Sequence, residues 1–424
     1  MSVLAKAKAS RSKGLKSVLS GIAIVGVGAL VLSGCAPTTS GGTAGPKKDL
    51  VLKIGTLLPQ TGNLAFLGPP EEGGVALAVK DVNDANMGIK IDITYGDSGD
   101  TDNKAYATTV PNLLSQGVSA IIGAAASGVS KLVIDQITGA GVIEMSPANT
   151  SPDFTNWDDH NLYWRTAPSD LLQGEVLGNL IAKDGNQTLG ILAINDAYGT
   201  GLQKVIDKTF TAAGGKVVAT EFYNTGDTNF TAQISSIMAQ KPAAIMAVTF
   251  DEALTIIPAL KDAGFDTSHL YLSDGNLKQY GTQLPAGVMT GAQGTTPGPV
   301  LPGDFQKRVK EAYAAANNGK DMGQDFSYAG ESYDAVILIA LAALAANSVK
   351  GADIATKLRE VSGGTGNGEK ATDFKSAATI INAGKVVDYD GYSGGIKFDE
   401  HGDPTEATIG IFKYDATNHF TREN

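Results

Sequence analysis

One cysteine, at position 35, and four histidines are all that the 424 residues hold of the side chains that most often cross-link chains or bind transition metals. A lone thiol has no partner within the chain, so no internal disulfide braces the fold. The histidines stand at 160, 269, 401 and 419, and none pairs at a metal-binding spacing such as i, i+4. Basic side chains are scarce as well: 33 Lys and Arg against 44 Asp and Glu, a net charge of −11. Nucleic-acid binding wants a basic face, so that class of partner is excluded. There is no Walker-type glycine loop and no Gly-x-Ser-x-Gly elbow. Gly139-Ala140-Gly141 precedes a strand instead of following one, so it makes no dinucleotide fingerprint. Asp97-Ser98-Gly99-Asp100-Thr101-Asp102 lacks the spacing and the twelfth-position Glu of an EF-hand, and reads as a capped turn. Nothing points to an enzyme, a resident metal or a cofactor.

What is present begins at the amino terminus. Lys6, Lys8, Arg11, Lys13 and Lys16 form a basic zone without an acid, followed by the apolar run Val18–Leu32 and then Leu32-Ser33-Gly34-Cys35. The run falls short of the ~20 residues of a membrane span and suits a signal-peptide core. Leu32-Ser33-Gly34-Cys35 resembles a bacterial lipobox. That resemblance implies cleavage before Cys35, lipid on its thiol, and a protein anchored on the extracytoplasmic face of the cell membrane. Removing five basic residues leaves 28 against 44, or −16. Acyl chains, not surface charge, would then be the membrane contact. Residues 36–48, rich in Pro, Thr, Ser and Gly, read as a flexible tether.

From Leu50 onward strand-length apolar runs alternate with helical patterns. Val51–Leu58, Ile89–Tyr95, Ala120–Gly123 and Val142–Met145 read as strands, separated by helices over 70–86, 101–116 and 130–138. Asp97, Asp100 and Asp102 are expected to cap the second helix. The rhythm repeats: strands at 189–194, 216–222, 243–250 and 270–272, and helices at 171–183, 201–213, 230–239 and 252–263. Helices are expected at 302–317 and 333–346; the latter is apolar nearly all round and reads as a buried core helix. Two strands at 395–398 and 408–414 close the chain. The fold class is α/β, with two doubly wound parallel-sheet lobes.

The ordered series Leu58-Pro59-Gln60-Thr61-Gly62, Ile122-Gly123 with Ser127, Met145-Ser146-Pro147-Ala148-Asn149-Thr150, Tyr163-Trp164-Arg165-Thr166, Asn195-Asp196-Ala197-Tyr198-Gly199 and Tyr333-Asp334-Ala335 carries a resemblance. It resembles the periplasmic binding proteins for branched-chain amino acids, the type I receptors of ABC importers, over nearly all of residues 50–415. The resemblance implies ligand capture between two lobes, 49–167 plus 293–393 and 168–292 plus 394–424. Hinge crossings are expected near 166–169, 291–296 and 392–395.

It also implies a set of site residues. Ser127, where a helix begins, would meet the ligand α-carboxylate; by itself it also reads as an N-cap. Ala148, Asn149 and Thr150 would hold both zwitterion groups. Asp274, just after strand 270–272, would pair with the ligand ammonium, where the branched-chain receptors carry the longer Glu. Tyr198 would close over the ligand, with Phe66 and Phe250 lining the side-chain pocket; Asp196 reads as structural. The implied function is capture of an amino acid, of aliphatic or branched-chain type, for delivery to importer permease subunits. An amide, urea or aromatic acid in the same fold, or sensing through a membrane partner, is the alternative.

Overall fold

The computed structural model describes residues 49–424. The signal segment 1–34, Cys35 and the tether to residue 48 lie outside the described residues.

Short, largely apolar runs form most of the buried strands. The first sheet has five, ordered Ile89–Thr94, Leu50–Leu57, Ala120–Gly123, Ile143–Ser146 and Tyr163–Arg165, every pair parallel. Ala120–Gly123 and Ile143–Ser146 are buried at every position, as strands covered on both faces must be. The second sheet has seven strands. Lys216–Tyr223, Thr188–Ile194, Ala244–Val248, Leu270–Leu272 and Gln293–Pro297 run parallel in that order. Ile409–Tyr414 and Phe420–Arg422 then extend the edge antiparallel. The second sheet is therefore mixed, not purely parallel. A small third sheet joins Glu369–Ala371, Val387–Gly391 and Gly394–Gly395.

These pairings move two expected boundaries. Gln293–Pro297, assigned by sequence to the first lobe, is hydrogen-bonded into the second sheet. The chain leaves that sheet only at Gly298, and helix Gly303–Ala316 packs back against helix Gly68–Ala85. Residues 394–398 were expected in the second lobe. They stay with the first half, where Ile396 and Phe398 sit in its apolar core; the return to the second sheet comes at Ile409. The antiparallel partner of Gln293–Pro297, Ile409–Tyr414, lies more than 100 residues downstream, and local periodicity carries no record of it.

The helix expected at 333–346 runs from Ala329 to Ala346 and is buried from Ala329 to Ala343. It is the one described helix long and apolar enough to cross a membrane by composition, and 83% of it is covered by protein. Helix Gly68–Ala85 crosses it closely, since a Cβ at Gly74 would lie 2.3 Å from the Ala329 carbonyl oxygen. Helix Tyr106–Ser115 begins later than expected. Asp97 and Asp100 instead accept backbone N–H bonds in the loops before it: Gln60, Thr61 and Gly99 donate to Asp97, and Asn63, Asp102 and Asn103 to Asp100.

Candidate functional site

Strand order places a crevice in each sheet. In the first, Leu50–Leu57 lies between Ile89–Thr94 and Ala120–Gly123; in the second, Thr188–Ile194 lies between Lys216–Tyr223 and Ala244–Val248. At such switch points the connections leave to opposite faces, and a gap opens beyond the carboxyl ends of the strands. The loops that follow those ends meet around one cavity. Leu64, Leu67, Ala125, Ala126, Ser127 and Ala148 come from the first half; Tyr198, Phe250, Asp274 and Gly275 come from the second. Tyr328 completes the lining just before helix Ala329–Ala346. The space is tight, closed in by side chains from both halves.

The polar end of the cavity is built around Asp274. It opens a 3-10 turn whose cap, Ser273, exchanges hydrogen bonds with Asn276, which fixes the turn on the end of strand Leu270–Leu272. Asp274 Oδ1 accepts from Tyr198 Oη at 2.8 Å and Gln173 Nε2 at 2.9 Å, and Oδ2 accepts from Tyr328 Oη at 2.7 Å. Because the single Tyr198 proton goes to Asp274, Ser273 Oγ donates to Tyr198 Oη across their 2.7 Å contact. The Tyr198 ring stacks on Phe250, centroids 5.5 Å apart and planes within 10°. All three partners of Asp274 are neutral, and among the described residues no Lys, Arg or His lines the cavity. Burial pushes the Asp274 carboxyl up, while Tyr328, Tyr198 and Gln173 pull it back down.

At the other end, helix Ser127–Gly139 starts at Ser127, and its N-cap, Ala126, supplies no side-chain acceptor. Ser127 is thus the first helical residue and not the cap; its Oγ accepts from Ser151 N at 3.3 Å. The first N–H groups of a helix carry partial positive charge and suit an anion. Leu64, Leu67, Ala125, Ala126 and Phe250 make up the apolar remainder.

Five residues expected from sequence therefore come together: Ser127, Ala148, Tyr198, Phe250 and Asp274. Three do not reach the lining. Asn149 bridges loops, donating to the Ala125 carbonyl at 2.8 Å and accepting from Tyr163 Oη at 3.0 Å. The Thr150 hydroxyl donates to Asp170 at 2.9 Å. Phe66 lines the neighbouring cleft beside Asp251, with Lys278 Nζ 5.1 Å from its ring centre. Asp196 is structural as expected: it caps helix Ala197–Ala212, accepting from Gly199 N at 2.8 Å. Tyr333 and Asp334 also serve the scaffold, bonded to Asp81 and to Tyr389, Tyr392 and Ser393 respectively. Sequence reasoning missed Tyr328, Leu64, Leu67 and the pair Ala125–Ala126. Only the last carried a local signal, as small residues between a buried strand and a helix start.

A family model described as periplasmic binding protein matches residues 51–395. The Leu/Ile/Val-binding protein homolog 1 of Brucella suis is 30% identical over 355 residues, 81% of this chain and 88% of that one. The leucine-, isoleucine-, valine-, threonine- and alanine-binding protein of Pseudomonas aeruginosa is 29% identical over 223 residues. That match covers 51% of this chain, which spans 58% of the relative's length. Among solved structures, a leucine binding protein from Thermotoga maritima superposes with a TM-score of 0.70 at 21% identity, covering 88% of this chain and 98% of that one. A branched-chain amino acid transporter substrate binding protein from Streptococcus pneumoniae, in complex with isoleucine, gives 0.68 at 22%, covering 88% and 100%.

Proposed function

The chain belongs to the periplasmic binding protein family, and we propose that it captures an amino acid between its two sheets and delivers it to an ABC importer. Family membership implies an extracytoplasmic location, and its relatives are solute-binding proteins. One observation carries the amino-acid reading: Asp274 is a buried carboxylate whose three partners are neutral and whose cavity, among the described residues, holds no cationic side chain. An isolated buried charge is costly, and a ligand ammonium compensates it with a short charge-assisted bond. The uncapped start of helix Ser127–Gly139 supplies the complementary end for an α-carboxylate. The wall between them is apolar, the character that an aliphatic side chain packs against. An aromatic acid brings a second negative charge toward Asp274 and no positive one, which disfavours it.

Capture needs no bond chemistry. The two halves act as lobes, with passages near 166–169, 298–302 and 399–408, and a ligand touching both favours the closed arrangement. The lipobox-like Leu32-Ser33-Gly34-Cys35 supports a lipid anchor, and the tether would hold the receptor near its permease at raised effective concentration. Cys35→Ser is then expected to release the protein to the medium with ligand affinity unchanged.

Calorimetric titration of the purified chain with leucine, isoleucine, valine, phenylalanine and small amides tests the reading. Binding of at least one amino acid is expected; binding of none would sink it. Asp274→Ala should weaken amino acids far more than the corresponding acids that lack the ammonium.

A further inference from the structure

Behind the cavity a second carboxylate stands close to Asp274. Asp170 opens helix Asp170–Lys183 and is fully buried. Its backbone N–H donates to the Thr150 carbonyl at 2.7 Å, and its Oδ2 accepts from the Thr150 hydroxyl at 2.9 Å. Its other oxygen, Oδ1, is buried without a hydrogen-bond partner. Gln173, one turn further along, donates to Asp274 Oδ1, and its own Oε1 is likewise buried and unpartnered. Residues at i and i+3 are neighbours on a helix surface. A proton on Asp170 would turn its stranded acceptor into a donor.

The surrounding charges favour that proton. Facing Asp170 are Asp274 from the turn after Leu270–Leu272, Asp196 from the cap of helix Ala197–Ala212, and Arg165 from strand Tyr163–Arg165. Arg165 is already bound to Asp403 at 2.6 and 2.8 Å and to the Ser151 carbonyl at 2.7 Å. Two buried carboxylates with no free cation between them do not both ionise readily. Asp274 accepts three hydrogen bonds and Asp170 one from a side chain, so the charge settles on Asp274. Burial, and then the Asp274 charge, push the Asp170 carboxyl well above the usual range against the pull of Thr150 and Arg165.

We propose that Asp170 is a positioning residue for the ligand ammonium: it holds a proton while Asp274 lacks a cation, and releases it to solvent when an ammonium docks on Asp274. The proposal rests on the amino-acid reading of the site and adds its proton linkage. An incoming positive charge stabilises the doubly ionised pair, so binding and proton release favour one another. Affinity is expected to rise with pH through the range in which the pair titrates, by up to about tenfold per pH unit for one proton.

The test is titration of the purified chain with L-leucine and L-valine between pH 5.5 and 8.5, in buffers of different ionisation enthalpy. Wild type should release a proton fraction approaching one per ligand bound; Asp170→Asn should release markedly less and show a flatter pH profile. Binding by wild type with no proton release, or equal release by both proteins, overturns the linkage and leaves the amino-acid reading standing. Failure of wild type to bind any amino acid overturns both. Should Asp170→Asn fold poorly, infrared difference spectra of wild type decide. A negative protonated-carboxyl band in the spectrum with leucine minus that without supports the proposal, and its absence at a pH where leucine binds refutes it.

Discussion

Asp274 and Arg165 are both buried charges, and they differ in what surrounds them. Asp274 has neutral donors only. Arg165 has Asp403, in a two-pronged pair, with side chains 0% and 11% exposed. Removing one partner of such a pair strands the other in low dielectric, at a cost of about 3–5 kcal/mol. Asp403→Ala is therefore expected to lower unfolding stability by that amount in denaturant titration, while the double variant with Arg165→Met loses distinctly less. Tyr328→Phe removes one of three bonds to Asp274 without changing the wall, and should weaken amino-acid binding by about tenfold, the value of a hydrogen bond to a charged group. Phe66→Ala should leave affinity nearly unchanged; a loss as large as that of Tyr328→Phe would return Phe66 to the site. The contrast shows what one residue's sequence context can and cannot reveal. An acid directly after a short apolar strand is visible as a candidate. The direction of a side chain on a 3-10 turn is not: Leu64 and Leu67, three apart, share the cavity face, and Phe66 between them points to the next cleft. Tyr328 caps a helix in the left-handed region at φ 59°, and no periodicity flags it.

At the scale of elements, legibility follows apolar content. Most of the parallel strands are legible because burial demands continuous apolar runs. Tyr163–Arg165, Gln293–Pro297, helix Gly351–Val361, Glu369–Ala371, helix Phe374–Asn382, Val387–Gly391 and Phe420–Arg422 are not. They are short or polar, and tertiary pairing holds them. The core helix Ala329–Ala346 is legible from residue 333 onward; its first turn is not, because Gly330, Glu331 and Ser332 interrupt the apolar pattern while lying buried. Its crossing with Gly68–Ala85 gives a test in which two effects oppose. Ala at position 74 gains about 1 kcal/mol of helix propensity over Gly. Its Cβ, however, would lie 2.3 Å from the Ala329 carbonyl oxygen, a rigid backbone atom. Overpacking of that kind costs about 1–3 kcal/mol. Gly74→Ala is expected to lower the thermal midpoint, and a raised midpoint would show that the two helices can separate freely.

Across the whole molecule, buried acids set the response to pH. Burial pushes Glu144 up to about 8, Glu331 to about 8, Asp334 to about 6 and Asp196 to about 6, and raises Glu71 well above its ordinary range. The acids held below their ordinary values, Asp84, Asp266 and Asp415, lie on the surface where solvent screens them. For each raised acid the folded state keeps a proton that the unfolded chain gives up. Its contribution is fully present below the unfolded value, near 4.5 for Glu144, and is lost as pH rises through the folded value near 8. Stability without ligand should therefore decline from about pH 5 to pH 8, opposite in sense to a fold built on paired surface carboxylates. Glu144→Gln isolates one contribution, since an amide of the same shape does not titrate. Its unfolding free energy should fall less steeply than wild type's over that interval, by up to about 1.4 kcal/mol per pH unit. The variant should then gain on wild type steadily from pH 5 to pH 8. Parallel profiles would mean that Glu144 is ionised in the fold and has found a partner. Under the proposed linkage, binding tends the other way, because an ammonium docked on Asp274 would favour deprotonation. A receptor of this construction should therefore loosen as a fold and tighten as a binder over the same pH interval, and unfolding midpoints with and without leucine should diverge as pH rises.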